Sequence, residues 1–364
     1  MRKPNFNDGY RGEIMNMLLN FGALSYRGFQ FFENRVMYVR KLKDMEKEGI
    51  VNSIFVYKRS KAVKLTSKGI NVCNEKYPPE FVSYCNEINK TTMDRLRKND
   101  KRNVMSVKKA ETDMIIMASG IPTMYGDKPL ISDNGNTDVR FYSINEIRGL
   151  VKKNGGMDPS IGTRSMGILL TPKCLYNVYH TGTKRMKWDN DVEKTYLKYL
   201  SSYAFQNGYG KDYEIRKSIL FYSTDKPLID MFNMGTKRDE NNVLSNVLNM
   251  GDNIIALPYN LEGLKLLSGI VDDNWVRAMY EALVPEKEKR DLSTAVDCDD
   301  FFDNTYTLVF CIPDIARLYR FIEQAKVSKQ GYKFVIYIYD WQKEFIANVC
   351  GKYDNITANV IQSE

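Results

Sequence analysis

A single histidine, His180, stands in 364 residues, and that scarcity removes whole classes of chemistry. A nuclease or relaxase that holds its metal through a histidine cluster cannot be assembled, although 24 tyrosines are available as nucleophiles. A histidine-based zinc site is excluded on the same ground, and a Ser-His or Cys-His nucleophile would need His180 itself as its base. His180 ends an apolar stretch just before Thr181 and Gly182, which reads as a satisfied structural imidazole. Phosphate-cradling glycine loops are also missing: neither G-x-x-x-x-G-K-[ST] nor G-x-G-x-x-G after a strand occurs, so no nucleotide site is expected.

The six cysteines, Cys73, Cys85, Cys174, Cys298, Cys311 and Cys350, form no C-x-x-C pair. They read as reduced thiols of a cytoplasmic protein. No apolar run approaches the roughly 18 residues needed to cross a bilayer, and the opening "MRKPNFNDGYRG" lacks the apolar core of a signal peptide. Neither a membrane partner nor a metal, a cofactor or a catalytic residue is expected.

What is present is an ordinary globular composition, 43% hydrophobic, 27% charged and 12% aromatic, in a chain long enough for two domains. The net charge of +8 is unevenly spread. Residues 1–110 hold 23 Lys and Arg against 11 Asp and Glu, a net of +12, so the remainder is slightly acidic. Such asymmetry is the footprint of a nucleic-acid-binding module joined to a neutral body.

The basic third has a definite pattern. Ile14, Met17, Leu18 and Phe21 recur at helical spacing, and Gly22 ends that helix. Ser25 is placed to cap a short second helix over Tyr26 to Phe32. A third helix follows from about Arg35 to Glu48, with Val36, Val39, Leu42 and Met45 inward and Arg35, Tyr38, Arg40 and Lys41 outward. Gly49 stops it. "IVNSIFVY" and "AVKLT", joined by "KRSK", read as a β-hairpin, and "SKGINVCNEKY" as a return helix. Three helices closed by a hairpin define the winged-helix variant of the helix-turn-helix.

The expected fold class is therefore α+β: an N-terminal winged helix-turn-helix over 1–90, a basic helical connector and loop over 91–138, and an α/β domain with a mostly buried sheet over 139–364. Within the last, "MGILLT", "LYNVYH", "SILFYS", "NIIALP", "TLVFCI" and "KFVIYIY" read as strands, the first two as a hairpin. "DVEKTYLKYLSSYAF", "LEGLKLLSGI", "NWVRAMYEAL", "DIARLYRFIEQAK" and "WQKEFIANVC" have helical spacing.

In a helix-turn-helix the second helix of the motif enters the major groove, where Arg reads guanine through two parallel donors. Arg35, Tyr38, Arg40 and Lys41 are the expected groove contacts. Lys58, Arg59 and Lys61 at the hairpin tip, with Lys64 and Lys68 behind, suit phosphate contacts. A metal-dependent nuclease is the alternative, with Asp189, Asp191, Glu193 and Lys194, or Asp340 and Lys343, as its carboxylates and lysine. No strand carries an acidic residue and a lysine two apart, and "WDNDVEK" reads better as the acidic first turn of a helix. A protein-interaction scaffold is a further alternative.

"VRKLKDMEKEGIV" followed by "VYKRSKAVKLTSKG" resembles the recognition helix, closing glycine and Leu-Thr-x-x-Gly wing of bacterial winged-helix DNA-binding proteins, over roughly residues 10–76. "FYSINEIRGL" with "IGTRSMGILLTPKCLYNVYHTGTKRMKW" is similar to plasmid and integrative-conjugative-element proteins related to the replication-relaxation family. That family joins a winged helix to an α/β domain resembling a nuclease fold; the acidic motif of its nuclease-like relatives is not recognisable in this chain. The resemblance implies an accessory or regulator of replication, conjugative transfer or transcription of a mobile element. The expected partner is double-stranded DNA, bound by a homodimer, with a further protein partner on the C-terminal domain.

Overall fold

A computed structural model describes residues 9–57, 60–89, 101–129, 138–153, 160–184, 186, 189–206, 214–234, 253–284, 296–328 and 331–362. Helix α1 (Gly9–Phe21) is buried on most of its circumference by Ile14, Met15, Met17, Leu18, Leu19 and Phe21, which leave only a narrow polar stripe of Glu13, Asn16 and Asn20. Gly22, at φ +75°, turns the chain out of it. Around it are strand β1 (Leu24–Ser25), a 3-10 turn (Gly28–Phe31), α2 (Arg35–Lys47), β2 (Val51–Tyr57), β3 (Ser60–Leu65), α3 (Ser67–Lys76) and α4 (Pro79–Ile88). The three strands form an antiparallel sheet in the order β1-β3-β2.

Two local expectations change here. The helix expected over Tyr26 to Phe32 is a single 3-10 turn, and Ser25, instead of capping it, lies in β1. The Ser25 hydroxyl donates to Glu111 Oε1 at 2.9 Å. The inward phase of α2 is set by Tyr38, Leu42 and Met45, while Val36 is 78% exposed. Tyr38 wins the inward position because a ring buries more apolar area than a valine and finds partners for it. Its ring stacks on Phe29 with centroids 5.2 Å apart, lies edge-on to Tyr10 at 4.9 Å, and its hydroxyl donates to Glu13.

Helix α5 (Lys101–Ala118) is the spine of the molecule. Val104 and Val107 pack on Ile54, Val56 and Ala62 of the hairpin, so the hairpin lies against α5. Met114 joins the core under α1 and α2, and Ile115 and Ile116 face the other way into the large sheet. A Cβ on Gly28 would stand 2.3 Å from Met114 Sδ, so only glycine lets the 3-10 turn sit this close to the spine. Lys109 of α5 also turns inward: 7% exposed, it donates to the Phe21 carbonyl at 2.9 Å and to Asp113 at 3.0 Å.

The second half contains β4 (Arg140–Ser143), α6 (Ile144–Lys153), β5 (Ser165–Leu170), β6 (Cys174–Gly182), α7 (Asn190–Gln206), β7 (Glu214–Tyr222), α8 (Lys226–Met234), β8 (Asn253–Pro258), α9 (Leu261–Ile270) and α10 (Asp273–Leu283). The five strands run β4-β5-β6-β7-β8, antiparallel through the β5–β6 hairpin and parallel across β6, β7 and β8. Strands β5 and β6 are buried along their whole length, which accounts for their mostly apolar character, interrupted by Asn177, His180 and Thr181 in β6.

The expected single sheet is two. Strands β9 (Asp300–Phe302), β10 (Thr305–Val309), β11 (Lys333–Tyr339) and β12 (Ile356–Ile361), with α11 (Ile315–Val327) and α12 (Lys343–Cys350), form a separate sheet in the order β12-β11-β10-β9. One apolar core serves both, since Leu220, Ile254 and Ala256 of the first sheet pack with Leu308, Phe310 and Ile336 of the second. The fold is thus a mixed α+β protein, with twelve α-helices and three sheets among the described residues. No helix among them is long and apolar enough to cross a membrane.

Candidate nucleic-acid interface

Fixing the inward phase of α2 on Tyr38, Leu42 and Met45 fixes its outward phase too. At 100° per residue, Val36, Arg40, Lys43 and Lys47 form one stripe opposite the buried one. All four are exposed. Arg35 is exposed at the first turn beside them, whereas Lys41 lies on the flank, half-buried, with Nζ 3.7 Å from Asp44. The sequence expectation therefore has Arg35 and Arg40 on the open side, and it misses Val36, Lys43 and Lys47. The 40–43–47 spacing was visible; the phase that turns it outward was not, because Val36 and Val39 offered an equally regular inward face.

Tyr38 leaves the exposed set, being 8% exposed in the aromatic cluster. Lys64 leaves it as well, at 3% exposure. Strand β3 is the middle strand, and alternation puts Lys64 on the same face as Ala62, the face that α5 covers. Lys61 is engaged within the fold: Nζ is 3.5 Å from Glu46 Oε2 and 4.9 Å from the Tyr26 ring centroid. Lys68 donates to the Glu48 carbonyl at 2.8 Å, closing the C-terminal end of α2. Lys58 and Arg59 lie outside the described residues. Phe55 on β2 is 58% exposed, an apolar side chain on the hairpin that charge counting does not reveal.

The carboxylates considered for cleavage stand apart. Glu193 is fully buried on α7, accepting from Thr163 Oγ1 at 2.7 Å, the Arg164 amide at 2.7 Å and the Tyr179 hydroxyl at 2.9 Å. Burial pushes its carboxyl up, against those hydrogen bonds. Asp189 Oδ1 accepts from the amides of Asp191 and Val192 at the start of α7, the dipole-favoured role expected of it. Asp340 pairs with Lys343 at 2.5 Å on the surface. Among the described residues no three metal-ligating side chains converge.

His180 is buried as expected, 0% exposed, with its ring edge-on to Tyr259 at 5.3 Å. Burial, helped by the fields of Lys108 and Arg27, holds it well below its ordinary pKa and therefore neutral. It is not satisfied, however: neither ring nitrogen has a hydrogen-bond partner, and Nε2 stands 3.5 Å from Glu111 Oε2. No protein-family model, curated protein or solved structure matches this chain.

Proposed function

We propose that residues 9–88 form a winged helix and that the chain binds double-stranded DNA with sequence preference, reading the major groove with α2. The observation that carries this reading is the stripe of Val36, Arg40, Lys43 and Lys47 opposite the Tyr38, Leu42 and Met45 face. Three cations leave this stripe toward solvent with no acidic residue on it. One exposed valine, Val36, stands among them, placed where it could meet an apolar group such as a thymine methyl. Support also comes from the element order, in which helix, strand, short helical turn and α2 are followed by a hairpin in a β1-β3-β2 sheet.

The reading extends to a homodimer on a two-fold site, since one reading helix covers only a half-site. The process served is replication, conjugative transfer or transcription of a mobile element. A gel-shift titration of the full chain against random duplex and fragments of its native locus, at two salt concentrations and without divalent metal, tests it. Salt-sensitive binding that prefers one fragment is expected. Absence of retention even at low salt overturns it and makes the basic face a protein-docking surface.

A further inference from the structure

The parallel strands β6, β7 and β8 end side by side, and their carboxyl ends are stitched together just past the sheet. The Ser223 amide donates to the Gly182 carbonyl at 2.9 Å, and the Tyr259 amide to the Tyr222 carbonyl at 2.7 Å. In open α/β sheets the side outside the carboxyl ends is where ligands settle, at points where the strand order reverses. Strands β6, β7 and β8 follow one another without such a reversal, but their ends open onto the same kind of crevice. Here that crevice is roofed by α5 and by the chain leading into the 3-10 turn. What remains between them is a cavity of about 40 Å³ lined by Arg27, Lys108, Glu111, Gly182, Thr183 and Ser223, with a valine wall from the hairpin and α5.

The charges around it are unbalanced. Arg27 and Lys108 contribute two cations, and Glu111 the single carboxylate among the lining residues. Burial pushes the Glu111 carboxyl up, against Arg27 and Lys108, which weakens it as a counter-ion. Burial first, and then the nearby Arg164 and Lys184, hold Lys108 below its ordinary pKa although Glu111 pulls the other way. An anion in the cavity would relieve that crowding of positive charge. The Lys108 ammonium is fixed by donation to the Thr181 carbonyl at 2.9 Å. Gly182, at φ +69°, makes room for it, since a Cβ there would stand 3.3 Å from Lys108 Cε. Thr183 is exposed, so the cavity reaches the surface at that point.

We propose that this cavity binds the tetrahedral oxyanion of a phosphate group, held by Arg27 and Lys108 at the carboxyl ends of β6 and β7. The volume admits a few water-sized groups, which suits one phosphoryl head and excludes a base or a sugar. The rest of a phosphomonoester would remain outside, beyond Thr183. The inference is independent of DNA binding, and its test contains no nucleic acid.

The test is isothermal titration and thermal unfolding of the full chain in a phosphate- and sulfate-free buffer, with sodium chloride at matched ionic strength as the control. Inorganic phosphate is expected to raise the unfolding temperature beyond chloride and to give saturable heat. Lys108→Gln should weaken phosphate binding about tenfold or more, the effect of removing a charge-assisted hydrogen bond. Because Lys108 also holds the Thr181 carbonyl, a second variant guards against misfolding: Thr183→Glu places a repelling carboxylate at the exposed mouth and should cost a similar factor. Tighter binding of glycerol 3-phosphate than of inorganic phosphate assigns the site to a phosphomonoester, and the reverse order to the free ion. Equal unfolding temperatures in phosphate and chloride, or wild-type affinity in both variants, overturn the proposal and leave the cavity to water.

Discussion

Arg27 lies across the ring of Tyr259, its Cζ 4.8 Å from the centroid, with Nη1 donating to the Ser223 hydroxyl at 2.6 Å and Nη2 to the Tyr259 carbonyl at 3.3 Å. One side chain from the entry to the 3-10 turn thus grips the ends of β7 and β8. Its planar fork suits this double attachment in a way that an ammonium does not.

Arg27→Ala should therefore lower global stability by about 2 kcal/mol, the order of a charge-assisted hydrogen-bond set with a half-buried cation–π contact. Arg27→Lys should recover less than half of it. Urea unfolding followed by circular dichroism measures both, and a loss below a few tenths of a kcal/mol would show that the grip contributes nothing.

Tyr38 and Arg40, two residues apart, should behave oppositely. Tyr38→Ala opens the aromatic cluster and should cost roughly 3–5 kcal/mol. Tyr38→Phe loses only the bond to Glu13, about 1 kcal/mol, and should leave DNA affinity unchanged. Arg40→Ala should leave the unfolding curve in place and weaken DNA binding. Paired denaturation and gel-shift titrations separate the two, and a DNA defect in Tyr38→Phe would return that side chain to the interface.

Replacing Arg40, Lys43 and Lys47 together by Ala should lower the salt dependence of DNA affinity by about 0.9 in log–log slope for each phosphate that the variant no longer neutralises. Val36→Ala should instead keep the slope and reduce the preference between fragments. Fluorescence anisotropy over a salt series reads both quantities. A slope identical to wild type in the triple variant removes this stripe from the phosphate backbone.

Asp113 adds a pH dependence. Burial raises its pKa from 3.8 to about 6, although Lys109 draws it down. An acid that holds its proton more tightly folded than unfolded adds stability at low pH and loses it as pH rises from about 4 to 6. Asp113→Asn, whose amide oxygen still accepts from Lys109, should flatten that decline. The difference in unfolding temperature between wild type and variant, measured from pH 4 to 7, should change sign or size within that window. A constant difference would mean that Asp113 is charged throughout.

The elements that could be read in the sequence were those whose pattern is their own. The six apolar stretches of the second half are strands, and β5, β6 and β8 show why: burial on both faces is carried in consecutive apolar residues. Strand β4 is only four residues long, and β12 is largely exposed, so neither has an apolar signature. The phase of α2 was decided by Tyr10, Phe29 and Phe32, which lie on other elements, and no spacing within α2 encodes them. The same applies to the cavity. His180 reads as structural and is buried, but its neighbour Glu111 sits on a helix whose lysines read as a basic connector. Lys108 and Lys109 turn inward because the spine has the N-terminal unit on one side and the sheet on the other.

That position of α5 sets an order of events during synthesis. Ile115 and Ile116 leave the ribosome long before β8, the last strand of the sheet that covers them. At roughly 5–20 residues per second, the wait is on the order of ten seconds. Through that interval the nascent N-terminal unit carries a sticky apolar flank. A fragment ending just after Ala118 should accordingly self-associate or recruit a chaperone, and the full chain should fold as one cooperative unit once the sheet closes over its spine.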